Sequence, residues 1–274
     1  MKIFVFGSNG MLGTYISDFL SKEYKIIKLT RADYDLNNLE YESLKQLVNN
    51  VETGIQKNDV IINCAGIIPQ SSKEAISKEK YYKINSIFPL FLSIICKESQ
   101  AKMIHITTDC VFSGNTGSYN ENSIADETTD YGVSKSLGEL CNCSIIRTSI
   151  IGEEKINKRS LLEYVKFNKN KVINGYENHL WNGVTCLQLS KIIKTIIFEN
   201  KWWKGVRHIF SPQIVSKYEL LNLINEIYEL NIKVNKFKTN TSIDKSLNTI
   251  FKFNNNFNIP NLKIQIQDLK KYNI

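Results

Sequence analysis

Short apolar runs alternate with amphipathic segments through the first half of the chain. The apolar runs predict strands at residues 2–6, 25–29, 59–63, 102–106 and 144–147. The segments between them place apolar residues at helical spacing and predict helices at residues 10–20, 40–48, 85–98 and 131–140. Because the strands are apolar throughout, both of their faces should be covered, as in a parallel sheet flanked by helices. Alternation of strand and helix therefore predicts an α/β fold with a doubly wound parallel sheet.

After residue 147 the alternation of apolar runs and amphipathic segments becomes less regular. Helices are predicted at residues 160–168, 186–198 and 217–230, and short strands at residues 171–173 and 206–210. The stretch from residue 235 to residue 261 is polar and rich in Asn, and it indicates neither helix nor strand. We expect one domain over residues 1–148 and a smaller C-terminal lobe over residues 149–274, with residues 205–211 returning to the sheet of the first domain.

Composition narrows the class of protein. The formal net charge is +8, but the lysines are scattered and only four residues are Arg, so the charge does not indicate nucleic-acid binding. No apolar stretch reaches the ~20 residues of a membrane span. The apolar run at residues 3–6 is too short for a secretory signal. We therefore expect a cytoplasmic protein with no membrane partner, its six cysteines as free thiols and no metal site.

A glycine motif follows the first strand and opens the first helix, with the spacing G-x-x-G-x-x-G. Glycines at this place let the backbone turn tightly and approach a pyrophosphate, which the helix N-terminus attracts. The motif predicts a dinucleotide-binding Rossmann domain over residues 1–148. The cofactor-binding residues expected in this segment are Gly7, Asn9, Gly10, Met11, Leu12 and Gly13.

The end of the second strand bears on the choice between NAD and NADP. An acidic residue there would bind the ribose of NAD, whereas this chain has Thr30 and Arg31. A hydroxyl and a guanidinium suit the 2′-phosphate of NADP, because Arg forms charge-assisted hydrogen bonds with phosphate. Asp35 and Leu36 are expected to flank the adenine. NADP(H) is therefore favoured over NAD(H), although Asp33 and Asp35 lie close enough to leave NAD(H) open.

A candidate catalytic set comes from the helix predicted after the fourth strand. Tyr131 and Lys135 are four residues apart and so share one helix face. The fourth strand ends near Thr108, at the edge where a nicotinamide would lie. Tyr131 can give or take a proton, Lys135 is expected to lower the tyrosine pKa, and Thr108 can polarise a carbonyl. Two other Tyr-x-x-x-Lys pairs, at residues 24–28 and 41–45, lie far from this edge.

Together these motifs resemble the extended short-chain dehydrogenase/reductase family, and most closely its dTDP-4-dehydrorhamnose reductase branch. The matching segments are residues 7–13, 63–66, 84–85, 107–114, 131–135, 138–139 and 147–149, with a fainter likeness at 181–184, 205–210 and 246–248. The resemblance implies that Thr108, Tyr131 and Lys135 form the catalytic triad. It implies cofactor contacts from Cys64, Ala65, Gly66, Asn85, Tyr131 and Lys135. Substrate contacts are expected from Thr108, Asp109, Cys110, Tyr131 and, in a polar loop that can face the sugar, Trp181.

Cys110 departs from the pattern of this branch, which has an aromatic residue there. The related 4,6-dehydratases carry a Glu at this position that removes a ring proton, so dehydration is not expected. If the chain is still extended at Cys110, its side chain points to the same side as Thr108. In the related GDP-fucose synthases and bifunctional rhamnose synthases a cysteine here assists proton exchange, and His179 or Lys166 are candidates for a second group. The alternative is a buried thiol that fills space.

The resemblance implies NADPH-dependent reduction of the C4 keto group of a nucleotide-linked 4-keto-6-deoxyhexose, for surface polysaccharide synthesis. The alternatives are a bifunctional 3,5-epimerase/4-reductase or sugar-nucleotide epimerase, and a non-catalytic NADP-binding regulatory subunit. The loop at residues 67–70 departs from the branch pattern, so the nucleotide and the sugar stereochemistry stay open. The oligomeric state is open as well, with a homodimer among the options.

Overall fold

The computed structural model of the protein describes residues 1–72, 74–156, 158–272 and 274. The strands within them are β1 (Lys2–Phe6), β2 (Lys25–Leu29), β3 (Val60–Asn63), β4 (Lys102–Thr108), β5 (Ser144–Thr148), β6 (Ile150–Ile151), β7 (Val172–Tyr176), β8 (His179–Trp181), β9 (Val184–Thr185), β10 (Gly205–His208), β11 (Val215–Ser216), β12 (Lys233–Phe237) and β13 (Ile243–Asp244). The helices are α1 (Met11–Leu20), α2 (Tyr41–Asn50), α3 (Lys78–Tyr82), α4 (Phe88–Ser99), α5 (Asp130–Gly138), α6 (Leu161–Phe167), α7 (Cys186–Phe198), α8 (Lys217–Tyr228) and α9 (Leu262–Lys271). None of these helices is both long enough and apolar enough to cross a membrane.

Six strands form one parallel sheet in the order β10-β5-β4-β3-β1-β2. β1 lies between β2 and β3, so the chain leaves β1 in one direction along the sheet and then crosses to the other side. The carboxyl ends of the strands at such a change of direction leave a crevice, where doubly wound folds bind ligands. The predicted fold class is confirmed. The sixth strand, β10, comes from the second half of the chain and pairs with β5.

The side chains of β1 explain why its sequence is a continuous apolar run. Ile3 and Val5 point to one face of the sheet, into a core that includes residues of α1 and α7. Phe4 and Phe6 point to the other face, into a core that includes residues of α2 and α4. A strand covered by helices on both faces buries every side chain, and its sequence has no polar alternation.

The lobe after β5 is built from short strands and helices. β7 pairs with β12, β8 pairs with both β11 and β13, and β6 pairs with β9. The pairing of β8 with β11 sets Val215 opposite Trp181. α8 follows β11 directly. Its N-cap Ser216 accepts a hydrogen bond from the Glu219 amide, and the Glu219 side chain accepts from the Ser216 amide. This capping box fixes Lys217 as the first residue of the helix.

Three local predictions differ from the structure. The helix predicted to begin at residue 85 begins at Lys78, and a π-helical turn at Lys83–Ile87 joins α3 to α4. The first turn of α3 reads K-E-K-Y-Y, so no apolar spacing marks it. The stretch 235–261 contains the end of β12 and all of β13, and α9 follows it without having been predicted. β4 continues past its predicted end to Thr108.

Candidate active site

The glycine loop lies at the carboxyl end of β1. Gly7 has a positive φ of 73°, and a Cβ added to Gly13 would lie 2.1 Å from the Gly7 carbonyl oxygen. The loop and the first turn of α1 can therefore touch only because both residues lack a side chain. The first helical hydrogen bond runs from the Thr14 amide to Gly10, over 3.0 Å. The amides of residues 11–13 thus have no carbonyl partner in the helix and suit an anion.

A cavity of about 430 Å³ lies beside this loop. The predicted cofactor residues on its wall are Gly7, Gly10, Arg31, Asp35, Leu36, Cys64, Ala65 and Gly66. Asn9 and Met11 lie to one side, against Glu154 and Lys155. Leu12 is only 6% exposed and packs in the core, so only its backbone amide can face a cofactor. The structure therefore gathers most of the predicted cofactor residues around one crevice.

Two cationic side chains, those of Arg31 and Lys80, line this cavity. Nη2 of Arg31 lies 3.2 Å from Oδ2 of Asp35, and the Arg31 side chain is 75% exposed. Asp35 also accepts hydrogen bonds from the backbone and the side chain of Asn37, and the backbone bond is the main reason why its pKa is lowered. Lys80, in α3, is the second cation. The sequence analysis missed Lys80, because the polar start of α3 carries no motif.

Asn85 lies in the π-helical turn and is 1% exposed. Its Oδ1 accepts from the Ile67 amide at 2.9 Å, and its Nδ2 donates to the Ile67 carbonyl and to Ser134 Oγ at 3.1 Å each. All of its polar atoms are engaged with the protein. These hydrogen bonds join the loop after β3 to α5, in keeping with the supporting role that the resemblance also implies for Asn85.

Thr108 and Tyr131 meet at the carboxyl end of β4. The Thr108 hydroxyl donates to Asp109 Oδ1 at 3.0 Å and accepts from the Cys110 amide at 3.1 Å. Burial raises the pKa of Tyr131 well above its ordinary value, and the neighbouring Cys110 raises it further, while a hydrogen bond with Thr108 lowers it less. The lowered pKa expected for Tyr131 is therefore wrong. The phenol of Tyr131 is therefore protonated at neutral pH.

Lys135 lies on α5, one helical turn after Tyr131, and is 7% exposed. A Cβ on Gly66 would lie 2.5 Å from its Nζ, so the ammonium group packs closely against the backbone of Gly66. Burial lowers the pKa of Lys135 to about 8, with Glu139 and two cysteines opposing the change. None of the three predicted catalytic residues lines the cavity itself, but Lys135 lies directly behind its wall at Gly66, and Tyr131 contacts Thr108.

A buried ion pair lies behind this site. Arg147 of β5 donates to the Glu139 carboxylate, which also accepts from the Thr107 hydroxyl at 2.6 Å. Arg147 further contacts His208 of β10 at 2.9 Å, and the other ring nitrogen of His208 lies 2.8 Å from the Asn248 carbonyl. The network ties the C-terminal segment to the central sheet next to the catalytic residues.

Cys110 does not lie in extended chain, because Asp109–Val111 forms a 3₁₀ turn directly after β4. The premise that Cys110 alternates with Thr108 along a strand is therefore wrong. The thiol still faces the site, with Sγ 3.6 Å from Asp109 Oδ1. Burial raises the pKa of Cys110 to about 11, and Asp109 acts in the same direction. Burial also raises the pKa of Asp109.

The groups suggested as partners for Cys110 lie elsewhere. Lys166 forms ion pairs with Glu153 at 3.4 Å and with Glu163 at 3.6 Å, away from the catalytic edge. His179 Nε2 lies 2.9 Å from Thr239 Oγ1. No group of three or more His, Cys, Asp and Glu residues in the described ranges is arranged to hold a metal ion.

Two lysines that the sequence analysis missed face this part of the site. Lys217 and Lys245 both attract the Asp109 carboxylate through space and lower its pKa against the effect of burial. Trp181 is only 3% exposed and packs in the core, so the predicted substrate contact of its ring is not supported. The Lys217 Nζ lies 5.0 Å from the centre of that ring instead. No local motif could have identified these lysines, since only tertiary pairing brings them to β4.

Comparison with known proteins places this arrangement in a family. The sequence matches the family model described as RmlD substrate binding domain over residues 1–243. The spore coat polysaccharide biosynthesis protein SpsK of Bacillus subtilis is 32% identical over 158 residues, which cover 54% of this chain and 52% of that protein. A dTDP-4-dehydrorhamnose reductase of Mycolicibacterium smegmatis is 30% identical over 156 residues, 57% of this chain and 41% of that protein. The chain thus spans about half the length of the curated relatives it matches.

Solved structures agree with the architecture. The dTDP-4-dehydrorhamnose reductase from Bacillus anthracis, crystallised in complex with NADP, superposes with a TM-score of 0.81 at 21% identity over 98% of both chains. At that identity the likeness shows a common fold. The family model covers most of the chain, including the glycine loop, Thr108, Tyr131, Lys135 and Lys217, and it ends before Lys245. The chain therefore belongs to the RmlD substrate binding domain family.

Proposed function

We propose that this protein reduces the C4 keto group of a nucleotide-linked 4-keto-6-deoxyhexose with NADPH, as dTDP-4-dehydrorhamnose reductases do. The observation that carries the proposal is that Tyr131 contacts Thr108 at the end of β4, while Lys135 of the same helix lies against Gly66 in the wall of the cavity. The names of its relatives, a dTDP-4-dehydrorhamnose reductase and a spore coat polysaccharide biosynthesis protein, support it. Products of this kind serve surface polysaccharides.

The residues around the cavity fit a nicotinamide dinucleotide. Bound there, NADPH would supply the hydride for the reduction. The free amides of residues 11–13 and the positive end of the α1 dipole would hold the pyrophosphate. Arg31 and Lys80, the two cations among the described wall residues, would hold the 2′-phosphate. Residues 1–148 with 205–211 would thus bind the cofactor, and residues 149–274 would form the substrate lobe.

Reduction of the ketone leaves an alkoxide at C4, which Tyr131 would protonate. Its raised pKa keeps the phenol protonated at neutral pH, which an acid requires. Thr108 would hold the oxygen through its hydroxyl. The ammonium group of Lys135 would stabilise the tyrosinate that remains.

Cys110 favours a plain reductase over the bifunctional alternative. Epimerisation at C3 or C5 needs a base that removes a ring proton, and a thiolate could do so. Burial and Asp109 raise the pKa of Cys110 to about 11, so the thiol is protonated at neutral pH. The two groups suggested as its partners are engaged elsewhere, His179 with Thr239 and Lys166 with Glu153 and Glu163.

The decisive test is Tyr131→Phe with Tyr24→Phe as the control from another Tyr-x-x-x-Lys pair. With a 4-keto sugar nucleotide and NADPH, Tyr131→Phe should lower turnover about 10²- to 10⁴-fold, because only the transferable proton is removed. Its Kd for NADPH should stay within about threefold of the wild type, and Tyr24→Phe should behave as the wild type.

Two outcomes would refute the proposal. Wild-type turnover in Tyr131→Phe would remove Tyr131 from the chemistry. A wild-type protein that binds NADPH but oxidises none with any dTDP-, UDP- or GDP-linked 4-keto sugar would favour the regulatory subunit.

A further inference from the structure

Lys217 occupies an unusual place for a cation. It is the first residue of α8, and the positive end of a helix dipole repels positive charge. The side chain is half-buried, and burial lowers the pKa of Lys217. Asp109 and Cys110 act on it through space and not through hydrogen bonds. Within the described ranges no carboxylate oxygen lies within 4.0 Å of its Nζ. Asp109 and Cys110 thus oppose the effect of burial only in part, and no ion pair within the described ranges compensates this charge.

Lys245 differs from Lys217 because it has an ion-pair partner. It also attracts Asp109, but its Nζ lies 3.5 Å from Glu127 Oε2, so an acidic partner already compensates its charge. Lys217 has the face of the Trp181 ring at 5.0 Å, a weaker partner than a carboxylate. The two lysines therefore differ in one respect that matters for binding, because only Lys217 leaves its positive charge free for a ligand.

The surroundings of Lys217 point toward the reacting end of the substrate. Asp109 and Cys110 follow Thr108 directly in the chain, and both influence Lys217. The charge of Lys217 also acts on His179, on β8. Burial is the main cause that lowers the pKa of His179, and Lys217 is the second. Lys217 thus lies between the end of β4 and the strand β8, where the first domain faces the C-terminal lobe.

We propose that Lys217 binds the diphosphate of the nucleotide-sugar substrate, an inference that rests on the proposed function. In such a substrate the diphosphate is the group that carries formal negative charge, while the sugar hydroxyls are neutral. The diphosphate is attached at C1, across the pyranose ring from C4, and so lies about one sugar ring from Thr108. A lysine is a point charge that suits phosphate oxygens. The diphosphate would supply the negatively charged partner that Lys217 lacks within the described ranges.

The test compares Lys217→Met, Lys217→Arg and Lys236→Met. Lys236 is the matched control, since its Nζ lies 5.3 Å from the Tyr218 ring in the same lobe but on the exposed surface. Calorimetric titration with dTDP, UDP and GDP should give a Kd about 10- to 100-fold weaker for Lys217→Met, the loss of one charged hydrogen bond. Lys217→Arg should recover most of the affinity, and Lys236→Met should match the wild type.

Steady-state kinetics separate binding from chemistry. KM for the sugar nucleotide should rise with the Kd in Lys217→Met, while kcat changes less than about threefold and the Kd for NADPH is unchanged. Unchanged diphosphate affinity overturns the inference, and a loss confined to kcat would assign Lys217 to the reacting carbon instead. An equal loss in Lys236→Met would reduce the effect to general surface charge, which also overturns it.

The two proposals fail in different ways. A wild-type protein that binds a nucleoside diphosphate through Lys217 but reduces no 4-keto sugar would contradict the proposed function and uphold the diphosphate site. A wild-type protein that reduces the sugar while Lys217→Met binds diphosphates normally would do the reverse. A wild-type protein that binds none of the three diphosphates overturns the inference outright.

Discussion

Replacing Lys135 by Met should stabilise the protein at neutral pH while removing its activity. Lys135 is 7% exposed, and burial lowers its pKa from 10.5 to about 8. A change of one pH unit in a pKa corresponds to about 1.4 kcal/mol. The charged side chain therefore costs the native state about 3 kcal/mol at pH 7. Met has a similar volume and no charge, so Lys135→Met should raise the free energy of unfolding by about that amount.

The stability difference between Lys135→Met and the wild type should depend on pH. Below about pH 8 Lys135 is charged in both the folded and the unfolded wild type, so the full cost is present. Between about pH 8 and the unfolded value of 10.5 the folded protein releases its proton first, and wild-type stability rises with pH. The advantage of Lys135→Met should therefore shrink from about 3 kcal/mol at pH 7 to about 1 kcal/mol at pH 10.

Urea denaturation at several pH values, with no ligand added, measures this difference. Taking the variant minus the wild type cancels the titrating groups that do not interact with Lys135. Lys28→Met is the control, because Lys28 is an exposed lysine of another Tyr-x-x-x-Lys pair. Its effect on stability should be small and independent of pH. A constant difference between pH 7 and pH 10 for Lys135→Met would show that burial does not disfavour the charge, and the reasoning would fail.

Two further predictions concern the cofactor and Cys110. Arg31→Ala should weaken NADPH binding about tenfold or more and NADH binding little, because only NADPH carries the 2′-phosphate; equal losses in titrations with the two cofactors would refute the role of Arg31. Incubation with a 4-keto sugar nucleotide in deuterated water without NADPH should give no enzyme-dependent label at C3 or C5 by mass spectrometry. Label that disappears in Cys110→Ser would instead make the protein an epimerase–reductase.

Local pattern was enough to predict the first half of the fold, because each strand has a short apolar run at its centre and each helix except α3 shows apolar residues at helical spacing. The catalytic residues were predictable for a related reason. Thr108 ends a strand and Tyr131 and Lys135 share one helix turn, so sequence distance alone sets their neighbourhood. The start of α3 was not predictable, since K-E-K-Y-Y has no apolar face. Lys80, which lies in α3, was therefore not predicted as a site residue.

The substrate side depended on contacts that the sequence does not display. Lys217 approaches Asp109 only because β11 pairs with β8, and no spacing rule relates residues so far apart. Trp181 was expected to face the sugar because its segment is polar, but its ring turned inward to the core. Cys110 was placed by assuming a strand where a 3₁₀ turn begins. Each error concerns side-chain direction, which follows from tertiary packing.

The position of β10 has a consequence for how the protein can be made. β10 pairs with β5, although residues 149–204 separate the two in the chain. During synthesis the sheet cannot be completed until His208 has left the ribosome. A fragment ending at residue 148 would present the unpaired backbone of β5, whose sequence S-I-I-R-T is a template for intermolecular pairing. The nucleotide-binding half should therefore aggregate when expressed alone, and the later half acts in part as the completion of its sheet.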